Sequence, residues 1–509
     1  MGLIPDEPAR LELLKSLVLT VLILFSLVLS VILWLPDDAV SSLPPELSHE
    51  QAGANFEESD MSHLVQPVEA IVHTGEGDHR SLSSAEAQEL VAAAEGLVST
   101  LRKEDLTEVT AEYELTDELL RWQLKRKGAT LVLPGKIPLD LWLWSLGGAG
   151  DTPDIPVDRV FFFISEDKPD RLELYIGGPD GWMNTEWSIV GEFESVQEEA
   201  DQAEAGLPLF EQEDVAGKVV ALAEQLDDMT DINGEEVMLL RGWRDIEARS
   251  LLGIPKMNPQ VQTAVAEMIV IEGEQDVRPF FSDFVGVRKR VERDSSRVYT
   301  DEYSSVRLPA GGGIQYTMIS PQDRENEVEP PTRRRALLES YRFLRRTTGS
   351  MVEDIRLVDI SEQYERGTLD WETGKPEVSG YTLQFSQVLD DGRIVFDGEG
   401  PITITVDDAG VREAQIETMQ SASRVQDFQS ITPISALQRS HEMAQDSGWV
   451  EDEEDIVVER LQIVYYPAER TAEETERVLR PAWSVDLGPV GFFLVDAVSG
   501  EIVFASDGY

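Results

Sequence analysis

Residues 17–35 read LVLTVLILFSLVLSVILWL, nineteen consecutive positions without a charge. As a helix rising ~1.5 Å per residue the stretch covers about 28 Å, close to the hydrocarbon thickness of a bilayer. Arg10 and Lys15 precede it, and Pro36, Asp37 and Asp38 come directly after it. Beyond Lys15 the next positive residue is Arg80, while ten Asp and Glu lie between 37 and 79. The positive-inside rule then puts residues 1–16 in the cytoplasm and everything after Pro36 outside. A cleaved signal peptide would have a shorter apolar core ending at a small-residue site. No such site comes after Trp34, so the stretch reads as an uncleaved, single-pass anchor.

One face of this helix carries all its hydroxyls. At 100° per residue, Ser16, Thr20, Ser26 and Ser30 fall within a stripe of about 120°. Small hydroxyl residues on one face let membrane helices approach closely and hydrogen-bond. The simpler alternative, in which each hydroxyl returns to its own i−4 carbonyl, does not require them to cluster. The stripe is therefore expected to be a helix–helix contact.

Composition sets bounds on the region beyond the anchor. The 473 residues after Pro36 exceed one ordinary domain, and a hydrophobic content of 41% suffices for packed cores. No cysteine is present, which excludes disulfides and thiolate metal sites. A net charge of −54 excludes nucleic acid as a partner, because phosphates would be repelled. The cations are ten Lys and 33 Arg, a balance that suits an exposed surface in salty or alkaline surroundings.

Hydropathy patterning predicts an α+β chain of antiparallel sheets with packed helices, in three regions behind the anchor (residues 1–36). Residues 37–205 comprise a Ser-, Pro- and Glu-rich tether and a first domain. A strand is expected at 68–73, a helix from Ser83 with Glu86 completing a capping box, and a strand ending at Pro134. A hairpin with one buried face should join 159–165 to 172–176. Residues 206–320 form a second domain, with a helix through Val215, Val219, Leu222 and Leu226 and a strand at Glu236–Trp243. An amphipathic stretch through Val261, Val265 and Met268 and short strands around Arg307 and Gly311–Gly313 complete it. Residues 321–509 form a third, with helices at Thr332–Arg346 and from Thr432-Pro433. Its hairpin turns fall at Asp390–Gly392 and Asp407–Gly410, a short helix begins at Thr471, and the end is again strand.

The chemistry of catalysis leaves no motif. Phosphate-binding loops, the G-x-S-x-G elbow and H-E-x-x-H are all missing. His441 shares a helical face with Ile434 and Leu437 and reads as a packed side chain. His49, His63, His73 and His79 have no metal-binding spacing, so no metal and no cofactor is expected. Asp231-Ile232-Asn233-Gly234 resembles part of a calcium loop, but Met229 and Leu240 would occupy its first and twelfth ligand positions, so it reads as a turn. The six arginines of 333–346 stand out in so acidic a chain. Arg335, Arg342 and Arg346 lie opposite the apolar stripe Leu337, Tyr341 and Leu344. Neutralising carboxylates of the same domain is the favoured reading, and a docking patch for an anionic partner or lipid headgroups is the alternative.

Several segments together point to a family. Leu14-Lys15-Ser16-Leu17 through Leu33-Trp34, and Leu64-Val65-Gln66-Pro67 before a strand, resemble the amino-terminal part of YycH-family proteins. Phe280-Phe281-Ser282-Asp283 and Tyr299-Thr300-Asp301-Glu302, leading to Arg307-Leu308, resemble the middle region. Tyr381–Phe385, Pro481–Val485 and Ser499–Ile502 resemble the carboxy-terminal portion, which is also similar to the sister protein YycI. The acidity and the inserts near 187–206 and 446–455 depart from the family's pattern. The resemblance implies a non-catalytic, extracytoplasmic regulator. It would act with a YycI-like protein on the sensor histidine kinase WalK (YycG), which governs cell-wall metabolism in Gram-positive bacteria, with transmembrane contacts carrying much of the regulation. A surface enzyme or ligand-binding protein acting on wall material is the competing class.

Overall fold

Runs of β-branched and aromatic residues carry most of the described residues into two large sheets. The computed structural model describes residues 58–74, 79–82, 90–92, 107–108, 126–146, 155–164, 171–178, 181–188, 234–243, 246–255, 260–269, 271, 273–281, 284–319, 331–369, 376–389, 392–395, 401–450, 456–468 and 476–507. The apolar stretch 17–35 and its residues Ser16, Thr20, Ser26 and Ser30 lie outside these, as do the helices expected at 215–226 and from Thr471. Among the described residues no helix is long and apolar enough to cross a membrane.

The first sheet has ten strands. Its middle runs His79–Leu82, Glu69–Thr74, Lys127–Pro138, Pro156–Ile164, Arg171–Gly178 and Gly181–Ser188, each antiparallel to the next. Gly234–Trp243 and Ile246–Pro255 extend it beyond His79–Leu82, and Ile456–Val458 adds in parallel at that edge. The hairpin at 156–178 was expected to bury one face, yet Val160, Phe161, Phe162 and Phe163 are buried in succession. Consecutive burial means that both faces are covered. Glu173 lies in the second strand of this hairpin. It is tolerated because Arg126 lies 2.6 Å away and the Tyr175 hydroxyl donates to it at 3.1 Å. Helix Leu139–Ser145 and the 3₁₀ helix Glu58–Val65, with Met61, Leu64 and Val65 fully buried, pack on the strand Lys127–Pro138. Of the helix expected from Ser83, residues 90–92 are described and helical, with Leu90 and Val91 buried.

The second sheet has fifteen strands. From one edge it runs Arg288–Val291, Arg297–Thr300, Ser304–Leu308, Ile314–Met318, Gly410–Ile416, Ile402–Asp407 and Pro376–Leu389. It continues through Gly392–Ile394, Arg460–Pro467, Glu476–Asp486, Gln260–Met268 and Met419–Gln429. Ile355–Leu369 pairs with Pro376–Leu389, while Gly491–Asp496 and Ile502–Asp507 build outward from Glu476–Asp486. The amphipathic stretch through Val261, Val265 and Met268 is the strand Gln260–Met268. Val261, Ala264, Ala266 and Met268 are its buried residues, and its register to Met419–Gln429 shifts between Thr263 and Ala264, where Val425 is the extra residue of the partner strand.

The two longer helices obey their sequence signals. Arg333–Thr348 starts at Thr332, whose hydroxyl accepts from the Arg335 amide, and buries Leu337, Tyr341 and Leu344. Pro433–Asp446 starts at Thr432, which accepts from the Ser435 amide. A two-residue turn closes the hairpin at Asp407/Gly410, while residues 390 and 391 of the other expected turn lie outside the described residues. The expected α+β class thus takes a sheet-dominated form with few helices.

Candidate functional site

The strand Lys127–Pro138 runs through Pro134, where the sequence suggested an end. Proline lacks an amide donor and is found in strands at edges or irregularities. Here the register to Pro156–Ile164 is regular from Gly128 to Val132 and then jumps to Ile137. Leu133–Lys136 thus leave the ladder, and their carbonyls need other donors. These come from the second sheet. Arg460 Nη1 donates to the Pro134 carbonyl at 2.6 Å and Nη2 to that of Leu133 at 3.5 Å, and Arg393 Nη1 donates to Pro134 at 3.0 Å.

Gly135 meets a second irregularity. Val358 sits where Ile355–Leu369 slips by one against its partner strand, between Leu357 and Asp359. A Cβ at Gly135 would fall 1.5 Å from the Val358 carbonyl oxygen, so only glycine allows this approach. Lys136 Nζ reaches Glu459 Oε2 at 2.9 Å, and Arg159 Nη2 donates to the Glu459 carbonyl at 3.5 Å. Glu459 lies between Ile456–Val458, in the first sheet, and Arg460–Pro467, in the second. One short piece of chain thus belongs to both sheets, and ionic groups surround its crossing point.

Burial sets the electrostatics of this junction. It pushes the Glu69 carboxyl up to about 7, against the opposing pull of Arg159, Ser81 and Arg460. It brings the Arg393 guanidinium down to about 9, helped by repulsion from Arg460, and lowers Arg460 as well. Asp486 is raised by burial and then by Glu459, and Asp359 is raised by burial. Three guanidinium groups beside several carboxylates, largely withdrawn from water, hold one another by geometry.

Arg335, Arg342 and Arg346 are spread along the helix rather than gathered at one carboxylate. Arg335 Nη2 donates to the Asp408 carbonyl at 3.1 Å, Arg342 lies 3.4 Å from Glu339, and Arg346 lies over the Phe343 ring at 5.7 Å from its centroid. Arg333 pairs with Glu362 at 2.8 Å, and Arg334 lies 5.8 Å from the Trp144 ring centroid. On the buried side of this helix, the Tyr341 ring is 5.6 Å from His63, whose Nε2 is 3.1 Å from the Val352 carbonyl. The 3₁₀ helix Glu58–Val65 is thereby seated against the arginine helix and the start of Ile355–Leu369.

The histidines fall apart as a group. His73 and His79 meet, Nδ1 to Nδ1 at 2.9 Å, with His73 Nε2 2.7 Å from the Thr130 hydroxyl. Burial, and then His79, hold His73 down at about 3. His63 is elsewhere, His441 is half-buried, and His49 lies outside the described residues. Among the described residues no group of three or more His, Asp or Glu is arranged to hold a metal ion. The junction residues Arg393, Glu459 and Arg460 were not singled out in the sequence. The available signal was Leu133-Pro134-Gly135-Lys136 inside an apolar run, since Pro and Gly within a strand mark a bulge or a close backbone approach.

Residues 12–179 match the family described as YycH protein, N-terminal domain. No curated protein matches the chain. Among solved structures, the crystal structure of YycH from Bacillus subtilis aligns with a TM-score of 0.52 at 12% identity, covering 87% of this chain and 96% of that one. At that identity the likeness speaks for the fold. An uncharacterized protein from Eubacterium rectale aligns with a TM-score of 0.33 at 10% identity, over 54% of this chain and 89% of its own. That score is too low to carry an argument.

Proposed function

Since this chain belongs to the YycH family, we propose that it regulates a membrane sensor histidine kinase of the WalK (YycG) kind, together with a YycI-like protein. In this reading it is a non-catalytic protein of the cell membrane, with its large carboxy-terminal region outside and a role in cell-wall metabolism. The observation that carries the reading is the family match over 12–179, which takes in the apolar stretch 17–35 together with most of the first sheet.

A regulator shifts a kinase between states only by binding them with different affinity. Two surfaces are available for this. The first is the stripe Ser16, Thr20, Ser26 and Ser30, which packs against a transmembrane helix of a partner. The second is the face bearing Arg335, Arg342 and Arg346. The region from His63 onward also offers a route of packed contacts. It leads from His63 to Val352, along Ile355–Leu369 to Val358, and from there to Gly135 at the junction.

Crosslinking from residues 17–35 in intact membranes, with identification of the captured proteins, tests the proposal. A YycI-like protein or a sensor kinase is expected. Each interhelical hydroxyl bond contributes only ~0.6 kcal/mol, so four sum to roughly 2 kcal/mol, about a thirtyfold change in a two-state balance. Ser26→Leu with Ser30→Leu should weaken capture and alter kinase phosphorylation, and Leu22→Phe with Leu29→Phe on the opposite face should do so less. Equal effects from both faces, or capture of neither partner, would overturn it.

A further inference from the structure

A second basic feature stands apart from the arginine helix. Residues 288–293 read RKRVER, four cations and one carboxylate in a chain with 43 Lys and Arg against 97 Asp and Glu. Arg288–Val291 is the edge strand of the fifteen-stranded sheet, paired only with Arg297–Thr300 among the described residues. All four of its residues are exposed, Val291 at 62%.

The register shows what the free edge offers. The Glu292 amide donates to the Ser296 carbonyl at 2.8 Å, and Arg290 and Arg288 sit opposite Val298 and Thr300 in the same series of pairs. In an antiparallel pair, hydrogen-bonded and non-hydrogen-bonded positions alternate. Arg288 and Arg290 therefore turn their backbone groups inward, while Lys289 and Val291 turn theirs to the open edge. Side chains alternate as well, with Arg288 and Arg290 on one face and Lys289 and Val291 on the other.

The charges here are under-balanced. Arg290 meets Glu292 at 2.6 Å, and Arg307 already shares Glu292 (3.1 Å) and Asp294 (2.6 Å). Lys289 lies 5.3 Å from the ring centroid of Tyr299, its register partner. Arg288 and Arg293 make no ion pair among the described residues. Charged residues often guard a sheet edge against unwanted pairing. Either sign would serve for that, and this strand uses the scarce one.

From the coincidence of an open backbone edge with unbalanced cations, we propose that Arg288–Val291 binds an extended acidic segment of another polypeptide as an added strand. The added strand's backbone would bond Lys289 and Val291, and its carboxylates would face Arg288 and Arg290. The fitting pattern alternates acidic with apolar residues, since the face opposite the arginines carries Val291.

The test uses the full chain in a neutral detergent. Its probes are a labelled octapeptide alternating Glu and Val, the same peptide N-methylated at alternate backbone nitrogens, and the same composition ordered as four Glu then four Val. Vesicles of phosphatidylglycerol form a separate arm. The alternating peptide should bind, and N-methylation or block order should weaken it at least tenfold. Arg288→Glu with Arg290→Glu should also cost at least tenfold at unchanged melting temperature. Val291→Pro removes one edge-facing donor without removing charge and should cost at least fivefold. Equal binding of all three peptides would reduce the strand to a patch of charge and overturn the proposal. So would binding of the vesicles through these residues without the peptide, which would make it a lipid surface. Failure of every probe to bind would leave a guarded edge only, and the proposal would be wrong.

Discussion

The junction at Leu133–Lys136 and the edge at Arg288–Val291 place the same side chain in opposite settings. At the junction, guanidinium groups are half-buried and fixed to backbone carbonyls, with carboxylates close by. At the edge they stand in solvent, with more positive than negative charge around them. Buried charges of this sort specify how two parts fit, and removing one partner leaves others stranded. Exposed charges contribute little to stability and remain available to a partner. In so acidic a chain the two settings divide a scarce residue type between holding the fold and meeting other molecules.

The comparison breaks most directly if one arginine is removed from each place. Arg460→Met strips the donors from the Leu133 carbonyl and one of two from Pro134, and should destabilise by about 3 kcal/mol. Arg288→Met should leave the melting temperature unchanged. Thermal or urea denaturation of both variants checks this. Equal, small losses would mean that the junction's charges are as dispensable as the edge's.

A finer test turns on Glu69. Its folded value is raised to about 7 from an ordinary 4.5, chiefly by burial. A raised carboxyl costs stability when ionised. The cost is fully present above pH 7, falls away between 7 and 4.5, and is gone below. Glu69→Gln should therefore stabilise the protein at pH 8 and have no such effect near pH 4. His73 acts in the other direction, its folded value being depressed to about 3, so that stability is lost as pH falls from 6.5 towards 3. Subtracting the variant's pH profile from that of the parent removes the His73 contribution and isolates Glu69. A flat difference would show that the carboxyl is solvated.

How much of the molecule was legible in its sequence depends on the range of the interactions concerned. Thr332 and Thr432 announced their helices because a cap is a contact between residues three apart. The turn at 408–409 was readable for the same reason. The strand at Gln260–Met268 was legible only as an amphipathic stretch, because Val261, Val265 and Met268 do not alternate by two. Phe161–Phe163 was read as half-buried because the cover on its second face comes from elsewhere in the chain. The junction was the least legible. Pro134 and Gly135 are separated from Arg393 and Arg460 by some 260 and 325 residues, and nothing local says which arginine among 33 will come to them.

Arg335, Arg342 and Arg346 lie between the two settings, so the smallest expected effect falls on them. Neutralisation of nearby carboxylates was the favoured reading, and Arg342 near Glu339 at 3.4 Å fits it in part, as an i,i+3 pair with both side chains about a third exposed. Such pairs contribute about 0–1 kcal/mol. Arg335 donates to a backbone carbonyl and Arg346 lies over an aromatic ring, so neither of these two contacts neutralises a carboxylate. Replacing all three with Gln should therefore lower stability by no more than about 1 kcal/mol. If this face also docks a partner, the same variant should bind the kinase or the YycI-like protein more weakly, and the deficit should shrink as salt rises, because exposed charges are screened within about 10 Å at 0.1 M. A large drop in melting temperature with unchanged partner binding would move this helix to the junction's side of the comparison. Weaker, salt-sensitive binding at an unchanged melting temperature would place it with the edge.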